Sequence, residues 1–133
     1  MTDLRKYVGI PFKPRGRDRT GCDCWGIFRL FYKDEFGIEL PSYVNDYESI
    51  DNHKKIYSLI SKGTEEKWKQ IELGKEQFGD GILFRIMGYP MHVGIIIKKR
   101  LFLHVFKGTD SVLEYYDNLI WRKRIAGIFR YEQ

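Results

Sequence analysis

The chain has 133 residues, 43% hydrophobic and 16% aromatic, with a formal net charge of +5. That length predicts one domain over residues 1–133 with a core of its own, and that composition excludes a disordered chain. Apolar runs of only five or six residues exclude a transmembrane segment, while the charge favours anionic partners without choosing among nucleic acid, acidic lipid and cell-wall polymer.

Met1–Lys6 lacks the apolar stretch of a secretory signal, which predicts residence in the cytoplasm or exit by another route. Residues 1–10 read as a short helix or an extended lead-in. Pro11–Gly21, rich in proline, glycine and charge, reads as a loop. Cys22 and Cys24, one residue apart, are too close for an unstrained disulfide and read as reduced thiols. Asp23 suits the cap of a helix whose apolar residues Ile27, Phe28, Leu30 and Phe31 fall near helical spacing. Gly37 ends it, ahead of Pro41. Cys24 then lies in the first turn, where free N–H groups and the dipole favour thiolate over thiol.

Residues 46–72 read as two short helices broken at Gly63. From Gly79 the period changes to that of strands: Gly81–Met87, Met91–Ile97, Leu101–Phe106, Ser111–Tyr116 and a last one over Arg124–Tyr131. The fold class is α+β, with N-terminal helices packed on an antiparallel sheet of about five strands.

Two histidines fall in adjacent strands. His92 shares a face with Gly94 and Ile96, and His104 shares one with Phe102 and Phe106. A three-residue loop at Lys98-Lys99-Arg100 sets Gly94 opposite His104 and makes the histidines diagonal neighbours, about 7 Å apart at the backbone. A two-residue turn sends them to opposite faces. Gly94 leaves space above the sheet for the first turn of the Cys24 helix. Cys24, His92 and His104 can then serve as nucleophile, general base and orienter of that base.

Four features in this order resemble the NlpC/P60 cysteine peptidases, papain-like cell-wall hydrolases. They are Asp23-Cys24-Trp25-Gly26, Gly79-Asp80 with its apolar strand, His92-Val93-Gly94-Ile95, and His104 in the third triad position. Gly9-Ile10-Pro11-Phe12 and the ending Trp121–Tyr131 are similar to the phage tail-associated branch. The resemblance implies a papain-like fold, a Cys24–His92–His104 triad, no cofactor and no metal. It implies hydrolysis of an amide bond in the peptidoglycan stem peptide, typically between D-glutamate and a diamino acid. It also implies a phage tail component that opens the wall for passage of DNA, with other tail-tip proteins as partners. Such a protein is found in the virion, or in the host cytoplasm during assembly.

Two positions depart from that pattern. Phe12 stands where many members carry a tyrosine whose hydroxyl assists the oxyanion, and loss of one such donor costs about 2.7–4 kcal/mol of barrier. Trp25 replaces the family's serine, so recognition beside the nucleophile must differ. Asp23 is either a helix cap or a contact to the substrate's amine. Arg15, Arg17 and Arg19 are either a solvated loop or a site for substrate carboxylates. Phe12 and Trp25 complete the candidate substrate-binding set.

Asp80 fixes the turn before its strand, and His53, among lysines, reads as a surface position. Cys22 has no role in the family pattern. The Trp121–Arg124 cluster reads as part of an edge strand whose charges resist pairing, and Trp121, Phe129 and Tyr131 read as core. Two rival functions stand beside the peptidase: a structural tail-tip protein that keeps the fold with little activity, and a zinc site of Cys22, Cys24, His92 and His104. Nucleic acid is not expected as a partner, because no motif concentrates the cationic residues.

Overall fold

A computed structural model of the protein describes residues 2–43 and 67–132. The N-terminal segment opens with a 3-10 turn, Leu4–Tyr7, capped by Asp3. It then runs extended and is bonded on two sides. Gly9 N–H donates to the Ser111 carbonyl (2.9 Å), and Ser111 N–H donates to that of Ile10 (2.8 Å). Lys13 N–H donates to Cys22 and Cys22 N–H to Pro11, each at 3.0 Å. Strands β1 (Arg17–Asp18) and β2 (Gly21–Cys22) then pair as a small hairpin that delivers the chain into α1 (Cys24–Phe36).

Helix α1 begins and ends where its sequence signals place it. Asp23 is in the β region and its Oδ1 accepts from Gly26 N–H (2.8 Å). Gly37 closes the helix at φ 67°, a left-handed conformation that glycine adopts freely, and its N–H returns to the Lys33 carbonyl. Ile27, Phe28, Phe31 and Tyr32 form one buried stripe, and Leu30 is half-buried beside it. Each fully buried side chain of this kind contributes about 1.5–3 kcal/mol, against about 1 kcal/mol for the cap. Packing therefore seats the helix, and the cap sets where it starts.

The large sheet has the strand order β3-β8-β4-β5-β6-β7, with every neighbouring pair antiparallel. Its strands are β3 (Trp68–Ile71), β4 (Gly81–Ile86), β5 (Tyr89–Lys98), β6 (Leu101–His104), β7 (Val112–Tyr115) and β8 (Ile125–Tyr131). The α+β class is as expected, with six strands in place of about five and one α-helix among the described residues. Most of the two short helices expected over 46–72 lies outside the described residues. Trp68–Ile71, at its end, is a strand: Trp68 opposes Tyr131 and packs on Phe28 and Tyr32, so tertiary contacts override the local pattern. This strand also covers β8. The final strand is therefore interior, and Arg122–Arg124 form a 3-10 turn ahead of it, not a charged edge.

Both faces of the sheet are covered near β5. Val93, Ile95, Leu103 and Val105, at odd positions, pack with the α1 stripe. Ile82, Phe84, Ile96, Phe102 and Ile128, at even positions, pack with Tyr116 and Trp121 in a second cluster. The histidines belong to the second face.

Candidate active site

His92 and His104 are both buried, and their rings meet directly, with His92 Nε2 2.8 Å from His104 Nδ1. The strand register that brings them together is the expected one, since Ile95 opposes Leu103 and Ile96 opposes Phe102. The route to it differs. Lys98 pairs with Leu101 across a two-residue turn, Lys99-Arg100, with Arg100 at φ 75°. A register shift between Ile96 and Lys98 makes Ile97 an extra residue. The two-residue turn alone would separate the histidines. The bulge restores their parity.

Aromatic rings fix the pair from several sides. Trp121 lies nearly parallel to His92 (centroids 5.5 Å, 24°) and edge-on to His104 (5.1 Å, 87°). Phe102 stacks on His104 at 4.3 Å, and Phe106 meets His92 edge-on at 5.0 Å. Burial holds the His92 pKa well below the usual imidazole value, with His104 adding to the effect. Burial also lowers His104, against an opposing pull from Glu114. Both imidazoles are therefore neutral at pH 7.

Cys24 sits in the first turn of α1, 8% exposed. Gly26 lets this turn lie flush on the loop before it, for a Cβ there would stand 2.1 Å from the Gly16 carbonyl oxygen. The thiol reaches β5 at the backbone N–H of Val93, next to His92. Ile96 N–H points to Asp80 on the β4 side, so by strand alternation Val93 N–H points to the β6 side, where β6 has already ended. The helix occupies the odd face and the histidines the even one. Sulfur therefore meets β5 at Val93, past the end of β6, not from above Gly94 as the sequence suggested. The space over Gly94 belongs to the Phe102 ring, 2.5 Å from where a Cβ would be.

One further expectation and one rival reading are corrected. The thiol is not biased to thiolate: burial, and after it the Asp23 charge, push Cys24 up to about 12, outweighing the helix terminus and the Val93 N–H. Among the described residues no hydrogen bond joins Cys24 to His92. The four-ligand zinc set does not assemble either. Cys22, fully buried, donates its thiol to the Asp18 carbonyl (2.9 Å). No group of three or more Cys, His, Asp or Glu among the described residues is arranged to hold a metal ion.

Asp23 is 3% exposed; its Oδ1 takes Gly26 N–H and Arg17 Nη1 (2.8 Å each), and its Oδ2 takes Arg15 N–H (3.2 Å). It is the helix cap and an ion-pair partner at once. Arg17 also donates to the Ser42 carbonyl (2.8 Å), so its guanidinium is spent on the loop. Arg19 pairs with Asp34 and lies over the Tyr7 ring, 5.4 Å from its centroid. The Arg15 side chain is exposed. Trp25 stacks on Phe28 and donates its indole N–H to the Pro41 carbonyl (2.8 Å), which holds the ring toward residues 41–43. Phe12 lies in the bonded N-terminal segment against Cys22 and packs on the α1 core, with no donor to offer. Asp80 anchors its turn through Gln77 N–H and a two-point pair with Arg130 (2.8 Å each).

Sequence reasoning missed Glu114 and the place of Trp121. Glu114 Oε1 is 3.0 Å from His104 Nε2, and its Oε2 accepts from Trp121 Nε1 at 2.8 Å. A lone acid on the even face of β7 was the available signal, yet its register against β6 depends on the connection over residues 105–111.

The sequence model of the NlpC/P60 family matches residues 9–130. The murein DD-endopeptidase/LD-carboxypeptidase MepS of Escherichia coli K12 is 25% identical over 124 residues, covering 93% of this chain and 57% of that protein. Tail tip assembly protein K of Escherichia phage N15 is 27% identical over 115 residues, covering 83% and 45%. The chain thus spans about half the length of these relatives. In fold it is similar to an NlpC/P60 family protein of Bacillus cereus (TM-score 0.69, 21% identity, 96% of this chain and 37% of that one). It is also similar to the NlpC/P60 domain of the peptidoglycan hydrolase SagA (TM-score 0.65, 19% identity, 98% and 92%).

Proposed function

The chain belongs to the NlpC/P60 family, and on that premise we propose that it is a cysteine peptidase of peptidoglycan stem peptides, with Cys24 as nucleophile, His92 as general base and acid, and His104 as orienter of His92. The observation that carries this reading is the buried His92–His104 contact at 2.8 Å beside a cysteine that opens a helix. The endopeptidase relatives support the substrate class, and the tail-tip relative supports a phage tail component acting at the wall with other tail-tip proteins.

The resting site holds a neutral thiol and a neutral imidazole. As Sγ bonds to the substrate carbonyl carbon, its proton passes to His92. The tetrahedral adduct collapses with cleavage of the C–N bond, and His92 returns that proton to the departing amine. A thioester remains on Cys24. Water then gives a proton to His92 while its oxygen attacks the thioester. The new adduct breaks its C–S bond and His92 returns the proton to the departing sulfur, releasing the acid and the thiol. Mass spectrometry of muropeptides from defined peptidoglycan tests the reading. Wild type is expected to release new termini and Cys24→Ala none; equal release by both would refute it.

A structural tail-tip protein with little activity is the second reading. The buried thiol, unbonded to His92, and the missing hydroxyl at Phe12 favour it. Absence of clearing on zymograms of several wall types, with wild type folded, would decide for it.

A further inference from the structure

We propose that Glu114 is a positioning residue: held by Trp121, it fixes the tautomer of His104, and through it leaves Nδ1 of His92 unprotonated. This rests on the reading of His92 as the base.

The His92–His104 contact does not choose its own direction. Either His92 Nε2–H donates to His104 Nδ1, or His104 Nδ1–H donates to His92 Nε2, and both make one good hydrogen bond at 2.8 Å. Only the first leaves a lone pair on His92 Nδ1. In the second, a neutral His92 carries its proton on Nδ1 and has no nitrogen free to take another from a thiol.

Glu114 removes the ambiguity. The Trp121 indole is a donor only, so the 2.8 Å contact makes Glu114 Oε2 an acceptor. The other oxygen, Oε1, lies 3.0 Å from His104 Nε2, and a carboxylate accepts there too. His104 must then carry its proton on Nε2, which frees Nδ1 to accept from His92 Nε2–H. All donors run one way, from His92 to His104 to Glu114, with Trp121 closing the far end. The ring of Trp121 lies along His92 and across His104, so the residue that holds the carboxylate also holds both imidazole planes. No proton travels along the chain. Its effect is to keep Nδ1 basic and to place a carboxylate behind the imidazolium that forms in the reaction.

Nitrogen-15 NMR of the full chain, with histidine labelled, reads the tautomers without substrate. Wild type is expected to show both His92 and His104 protonated on Nε2. An amide at this position can accept from only one of its two donors. Glu114→Gln is therefore expected to move both rings toward the Nδ1–H form and to lower kcat on stem peptides by about 10²-fold, with KM little changed. Glu114→Ala, which removes the acceptor and adds no donor, is expected to give mixed tautomers. A wild-type His104 protonated on Nδ1, or Glu114→Gln with wild-type tautomers and kcat, overturns the proposal. A wild type that cleaves no wall peptide defeats the functional reading alone, since the NMR result still decides the tautomers.

Discussion

Cys24 carries two opposing influences, and their sizes decide its resting state. A helix terminus is worth about 0.3–1 kcal/mol to an anion, whereas one pKa unit corresponds to about 1.4 kcal/mol. A thiol pushed up to about 12 by burial is therefore beyond rescue by the dipole. At pH 7.5 the isolated protein should react with iodoacetamide at least about tenfold more slowly than a free cysteine peptide, with the rate climbing as pH rises. Rapid, selective modification of Cys24 at neutral pH, seen by peptide mass mapping, would remove this account. The sequence displayed the helix terminus plainly. It could not display the enclosure, because that comes from the loop at Gly16 and the strand at Val93, remote positions that only folding brings to the sulfur.

Helix α1 and its approach loop behave as one unit, with Asp23 at the joint. Asp23→Ala removes a cap and leaves Arg17, 14% exposed, without that carboxylate, so a loss of about 2–4 kcal/mol is expected in denaturant melts. Asp23→Asn keeps the cap and should lose less; equal losses would mean that the ion pair contributes nothing. Gly26→Ala would improve helix propensity in isolation, yet its Cβ would collide with the Gly16 carbonyl. It should destabilise by about 1–3 kcal/mol and displace Cys24, lowering kcat out of proportion to any fall in Tm. A Gly26→Ala variant as stable and active as wild type would show that the loop yields easily. The helix was legible from end to end because its signals, Asp23, the apolar stripe and Gly37, are local. Strand β3 was not, since Trp68–Ile71 is fixed as a strand by Tyr131 and β8, more than fifty residues away.

Across the whole molecule, the sheet is covered on both faces around β5, and each face does a separate task. The odd face seats the helix, and the even face buries two neutral histidines among aromatics. This burial couples stability to pH. An unfolded imidazole takes up a proton near pH 6.5, while His92 and His104 in the folded chain resist until lower pH. Below about pH 6.5 the unfolded state thus binds more protons, and stability must fall as pH falls toward the folded values. The urea midpoint should drop between pH 7.5 and pH 5, and His92→Phe with His104→Phe should flatten that dependence; an unchanged slope in the double variant would place its origin elsewhere. The parity of the two histidines was readable from alternation along each strand. The partner at Glu114 was not, because alternation ranks faces within a strand and says nothing of the offset between β6 and β7. The extra residue at Ile97 has a consequence for how this hairpin can vary in length. One residue lost or gained there exchanges the faces of every side chain on β6 relative to β5, whereas two restore them. Related chains that keep the histidine pair should therefore differ in this hairpin by even numbers of residues, or carry a compensating bulge where the number is odd.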